Sequence, residues 1–170
     1  YGTPYFLTAD HCGHNASWSF QFNWISPSPS CATTANSTNG TYDEINGSQL
    51  RASNGGSDFA LFELNSTPPL SYGIFYAGWD KSDATTVTEA TGIHHPSGDI
   101  MKICREDDAP YHASAGGAQV WYIDQWEEGV TEPGSSGSPL FDQNHRVIGQ
   151  LYGGLAACSG TSDNGQYDYY

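Results

Sequence analysis

The chain has 170 residues, with 5 Lys and Arg against 19 Asp and Glu, so its formal net charge at pH 7 is −14. Phosphate-backbone binding needs clustered Lys and Arg, and the scattered basic residues here exclude a nucleic-acid partner. No apolar run approaches the ~20 residues that span a bilayer, and so negative a surface slows self-association, so a monomer with no membrane partner is expected.

In chain order, the apolar run Tyr5-Phe6-Leu7 leads into Thr8-Ala9-Asp10-His11-Cys12-Gly13. Residues 17–24 alternate polar and aromatic without a fault, the period of a strand with one buried face. Pro27, Pro29 and the Ser/Thr/Asn/Gly tract over 32–46 predict a long loop. Asp58 opens a further alternating strand over 59–64, stopped by Asn65-Ser66-Thr67-Pro68-Pro69. Beyond the passage containing residues 76–79, segments 85–93, 100–104, 119–126, 139–141 and 147–152 read as strands. Nothing sustains a helical period, so the expected class is all-β.

His94 and His95 invite a metal reading, but adjacent strand residues face opposite ways. Hydrogen bonding in a turn before Pro96 is the expectation. With no Cys-x-x-Cys or His-x-x-x-His spacing, no metal and no cofactor are expected. Trp121 and Trp126 are read as core.

The segment Gly134-Ser135-Ser136-Gly137-Ser138-Pro139 sets a serine among small residues, which lets the main chain approach a substrate closely. It resembles the nucleophile turn of trypsin-like serine proteases. There the oxyanion is held by N–H groups of the serine and of the residue two before it, which correspond to Ser136 and Gly134. Thr8-Ala9-Asp10-His11-Cys12 is similar to the segment carrying the histidine of that fold, and Ser57-Asp58-Phe59 supplies the aspartate. The order His11, Asp58, Ser136 is that of chymotrypsin; subtilisins and α/β-hydrolases run in other orders. The resemblance implies Ser136 as nucleophile, His11 as general base and Asp58 as the residue that orients it.

Further phrases narrow the likeness. Tyr76-Ala77-Gly78-Trp79-Asp80, Ile93-His94-His95-Pro96-Ser97-Gly98-Asp99, the run from Gly129 to Pro139, and Val147-Ile148-Gly149-Gln150-Leu151-Tyr152-Gly153-Gly154 are similar to the secreted bacterial lysyl endopeptidases. The resemblance implies a chymotrypsin-like double β-barrel, with residues 1–80 carrying His11 and Asp58 and residues 81–170 carrying Ser136 and the specificity pocket. It implies an extracellular endopeptidase acting on protein or peptide substrates and cleaving after lysine. For such a fold the chain is short and His11 stands close to its start, so an internal piece, truncated at both ends, is expected. The family's histidine in the Gln-Leu-His-Gly-Gly phrase is Tyr152 here, and Cys104 stands where the resemblance implies no cysteine.

The trypsin pocket acid lies six residues before the serine; that position is the apolar Val130. Lysyl endopeptidases carry their carboxylate on a late strand, and Asp168 matches that site, with Asp163, among Ser, Asn and Gly in an apparent loop, as competitor. Gly153 and Gly154 leave room for a substrate backbone to pair as an added strand. Cys12, Cys31, Cys104 and Cys158 allow three disulfide pairings, and oxidising export suits them. The resemblance implies that the partners of Cys12, Cys31 and Cys158 lie outside this chain. The rival readings are a trypsin-like protease of arginine or mixed specificity, and a non-catalytic binding module on the same fold.

Overall fold

The computed structural model describes residues 2–26, 42–82, 84–159, 162–163 and 166–170. Its elements are strands joined by turns, with 3₁₀ turns at Asp10–Cys12, Leu70–Tyr72 and Pro96–Gly98. In chain order the strands are β1 (Tyr5–Ala9), β2 (Ser19–Phe22), β3 (Asp43–Asn46), β4 (Ser48–Asn54), β5 (Phe59–Leu64), β6 (Gly78–Trp79), β7 (Ala90–His94) and β8 (Lys102–Glu106). There follow β9 (Tyr111–Ala115), β10 (Ala118–Ile123), β11 (Pro139–Asp142), β12 (Arg146–Gln150), β13 (Gly153–Gly154), β14 (Cys158–Ser159), β15 (Ser162–Asp163) and β16 (Asp168–Tyr169).

The first part of the chain forms the sheet β1-β5-β4 and the ribbon β2-β3. In β5 burial alternates along a mostly apolar run, and Ala60, Phe62 and Leu64 turn inward. Leu64 joins Phe20 and Ile45, with Trp18, Phe22 and Tyr72 around them. The later part forms the sheets β6-β12-β11-β7-β8 and β13-β16-β10-β9. Their core gathers Ala90, Cys104, Ile123, Trp126, Leu140, Leu151, Ala156 and Tyr170. Trp126 is buried there and Trp121 packs against it. Gly78 and Trp79 pair in parallel with β12, so the segment before residue 80 also reaches the second group of sheets.

Several strand boundaries differ from the sequence reading, for local reasons. The alternating run stops at Phe22 because Asn23 takes a left-handed φ of 62°. Its side-chain amide turns to Asp43 and the Tyr72 carbonyl instead of continuing the ladder. The 32–46 loop is too long, since Asp43–Asn46 pairs with Ser19–Phe22 as β3; Ile45 supplies the buried anchor. The strand expected at 85–93 begins only at Ala90, since Thr85 and Thr88 hydrogen-bond the side chains of Asp80 and Gln143. Strand β8 starts two residues late, because the Met101 N–H donates to the Trp24 carbonyl. The reading missed β9, which forms a hairpin with β10 through Gly116 and Gly117 at φ 58° and 88°. Positive φ at both central residues is what a two-residue hairpin turn demands.

Candidate active site

Strand β1 carries the chain into the 3₁₀ turn that presents His11, and β5 is preceded by the turn that holds Asp58. Antiparallel pairing of Ala9 with Phe59 brings the two turns together. The Asp10 N–H donates to the Asp58 carbonyl at 2.8 Å, and the His11 N–H donates to Asp58 Oδ1 at 2.9 Å. Asp58 Oδ2 then lies 2.6 Å from His11 Nδ1, and His11 Nε2 lies 2.8 Å from Ser136 Oγ. A carboxylate only accepts, so Nδ1 carries the proton and Nε2 offers a lone pair to the Ser136 hydroxyl. Asp58 is buried, with a left-handed φ of 54°. The Gln150 side-chain amide donates to its carbonyl at 2.8 Å, fixing that conformation from the later sheet.

The loop over 132–138 reaches the same point. The N–H groups of Ser135, Gly137 and Ser138 donate to the carbonyls of Glu132, Leu151 and Ser135 at 3.0, 2.9 and 3.0 Å. Those of Gly134 and Ser136 have no partner among the described residues. Glycine is required at 137, where φ is 80° and a Cβ would overlap Thr8 Oγ1; β1 could not otherwise dock on this loop.

Asp168 sits behind the loop, 1% exposed. Strand β16 lies between β10 and β13, and Asp168 is paired with Ile123 on one side and Gly154 on the other. Its Oδ2 accepts from Trp126 Nε1–H at 2.7 Å and from the Thr131 hydroxyl at 2.6 Å. Burial raises its pKa above the ordinary carboxylate value, against the lowering effect of the donors at Thr131, Trp126 and Ala156. The remaining oxygen, Oδ1, occupies the space into which a side chain at 154 would grow. Tyr152 donates its N–H to the Tyr169 carbonyl at 3.0 Å. Its ring meets Tyr169 edge-on with centroids 5.3 Å apart. Gly153 is close to the Tyr169 hydroxyl.

The family model for the lysyl endopeptidase C-terminal domain matches residues 1–170. The chain belongs to that family. The lysyl endopeptidase of Pseudomonas aeruginosa is 28% identical over 172 residues, a match covering 97% of this chain and 37% of the relative; the chain thus spans little more than a third of that protein's length. Among solved structures, the inactive form of the Rv3671c protease of Mycobacterium tuberculosis is similar with a TM-score of 0.58 at 15% identity, over 97% of this chain and 71% of that one. The MamO protease domain of Magnetospirillum magneticum gives 0.53 at 16%, over 99% and 78%. The chymotrypsin-like β fold expected from the motifs is therefore the observed one.

Within this lysyl endopeptidase domain, His11, Asp58 and Ser136 form one hydrogen-bonded chain, while Asp168 stands apart in the core behind them. Asp163 lies in β15, paired with Cys158, which corrects its reading as loop. Val130 is half-buried against the core and carries no charge. Cys12 and Cys104 are free thiols, and Cys31 lies outside the described residues. Burial pushes the Cys104 thiol pKa well up. The sequence reading missed the partners of Asp168. Thr131 carried no signal, and Trp126 was read as core, although a buried indole needs an acceptor for its N–H. It also split the two histidines correctly but without a partner for either: His94 is buried against Ser135, while the exposed His95 takes the Asp99 carbonyl.

Proposed function

We propose that this chain is the catalytic unit of a secreted serine endopeptidase that cleaves protein or peptide substrates after lysine. The observation that carries the reading is the continuous chain Asp58–His11–Ser136, with contacts of 2.6 and 2.8 Å. Residues 1–80 contribute the base and its orienting acid, and residues 81–170 the nucleophile and the pocket. Ser136 Oγ attacks the carbonyl carbon as His11 Nε2 takes its proton. The oxyanion is held by the Gly134 and Ser136 N–H groups, which no acceptor among the described residues consumes. The carbon–nitrogen bond breaks as His11 returns the proton to the leaving amine. Water, deprotonated by His11, then hydrolyses the acyl-enzyme and restores Ser136.

Lysine selection is assigned to Asp168. A buried carboxylate without a cation is costly, and an incoming ammonium at Oδ1 relieves that cost. Gly154 leaves the approach open, and Gly153 and Gly154 accept the substrate backbone as a neighbouring strand. Tyr152 closes the site where the family's histidine stands. A fluorophosphonate probe tests the reaction class: adduct mass on the peptide containing Ser136 is expected. Absence of labelling with turnover intact would reject the nucleophile.

A further inference from the structure

Ser135 stands between the two unspent N–H groups, and every polar atom it has is tied down. Its N–H donates to the Glu132 carbonyl at 3.0 Å and its carbonyl accepts from the Ser138 N–H at 3.0 Å. Its Oγ accepts from the Glu132 N–H at 3.2 Å. These bonds stay within the loop. One contact leaves it: Ser135 Oγ lies 2.8 Å from His94 Nδ1, and both side chains are 1% exposed.

His94 is the last residue of β7, which is bonded on both edges, to β8 and β11. His94 itself is paired with Lys102 of β8, and β11 begins immediately after the loop. The Ser97 N–H adds a second prop, donating to the Pro133 carbonyl at 2.8 Å. Gly134 packs so closely on this segment that a Cβ there would stand 3.0 Å from the Ser97 nitrogen.

The ring is an expensive way to fill space. His94 Nε2 is buried with no partner among the described residues, a cost that an apolar side chain would avoid. Burial lowers its pKa to about 4, so the ring is neutral near pH 7. With Nε2 protonated, Nδ1 accepts the Ser135 O–H while Ser135 Oγ accepts from Glu132. That arrangement satisfies every polar atom of the pair except Nε2.

We propose that His94 is a positioning residue: its bond to Ser135 holds the 134–136 backbone so that both N–H groups face the developing oxyanion. This rests on the serine-endopeptidase reading. The test uses the full-length protein with Ser135→Ala, His94→Leu, His94→Asn and the double change His94→Leu/Ser135→Ala. Ser135→Ala and His94→Leu should each lower kcat by roughly 10- to 100-fold, below the loss of a whole oxyanion donor, with KM held within about threefold. Affinity for a peptide aldehyde, whose hemiacetal needs the two N–H groups, should fall in parallel, while affinity for the cleaved product peptide stays. Asn offers a polar atom where Nδ1 was and should recover most of the loss. The double change should cost little more than either single one.

A wild-type kcat in Ser135→Ala overturns the proposal even if His94→Leu fails to fold. So does an Asn variant no better than Leu, which would mean that the ring acts by volume. The amide resonances of Gly134 and Ser136 report the geometry without turnover. If they do not move in Ser135→Ala the positioning role fails, whereas an inert wild type with moving resonances refutes only the endopeptidase reading.

Discussion

Replacing Asp168 with Asn separates a pocket acid from a structural one. The carboxylate is 1% exposed and its Oδ2 accepts from Trp126 and Thr131, so a ligand would approach Oδ1. Asn keeps the shape and can still accept from both donors through its carbonyl oxygen, but a bound ammonium would face an amide. Losing one partner of a buried charge pair costs about 2–5 kcal/mol. At 1.4 kcal/mol per tenfold, kcat/KM for lysine substrates should fall roughly 30- to 4000-fold. A leucine substrate should be far less affected. Stability should move the other way. Burial raises the folded-state pKa above the ordinary 3.8. The stabilisation from the protonated form is therefore complete below that value and is lost as pH climbs through the folded pKa, so ionisation of the group costs stability. The Asn variant should hold or raise Tm at pH 7 while losing lysine cleavage. The assay is kcat/KM for matched lysine, arginine and leucine peptides, with a thermal melt of each protein. Equal losses on all three peptides would refute the argument and leave Asp168 as a support of the β10–β16 pairing.

Ser136→Ala and His11→Ala should each lower kcat by roughly 10⁶-fold, and the double variant by little more, since groups acting as one unit are not additive; single-turnover assays on the three proteins check this. Gly154→Ala places a methyl group against the Asp168 carboxylate, so lysine cleavage should drop while labelling of Ser136 by a fluorophosphonate continues. Glu106 is buried beside Glu127 and Asp108, and burial above all pushes its pKa from 4.5 to about 7. With the folded value raised, stability is lost as pH rises through that window. Tm should therefore decline between about pH 5 and pH 8, and Glu106→Gln should flatten the decline in a melting series.

Much of the candidate site is legible because the chemistry constrains short strings. His11 needs a turn directly after a paired strand, and Thr8-Ala9 before it is small enough to pass beneath Gly137. The turn that presents Ser136 needs glycine two residues before it and directly after it, since φ is 96° at Gly134 and 80° at Gly137. The strand over 59–64 is legible as a short apolar run between Asp58 and the Asn65-Ser66-Thr67-Pro68-Pro69 stop. Other boundaries were misplaced where side chains substituted for the ladder. Asn23, Thr85 and Thr88 spend hydrogen bonds on distant residues, and no local pattern announces that. The β9–β10 hairpin has its signal in Gly116-Gly117, but β9 itself, Tyr-His-Ala-Ser-Ala, carries little hydrophobic alternation.

The sequence alone determined the β class of the fold and the order of the short strings that carry His11, Asp58 and Ser136. Period-2 patterning and turn residues act over a few positions and survive any rearrangement of distant parts. Only the tertiary structure decided which groups surround them. Trp126 and Thr131 converge on Asp168 from 42 and 37 residues away, and His94 reaches Ser135 across 41. Such pairs owe their contact to sheet order and register, which place strands side by side irrespective of separation along the chain. Whether a buried polar atom finds a partner, and hence what it can do, is settled by that placement.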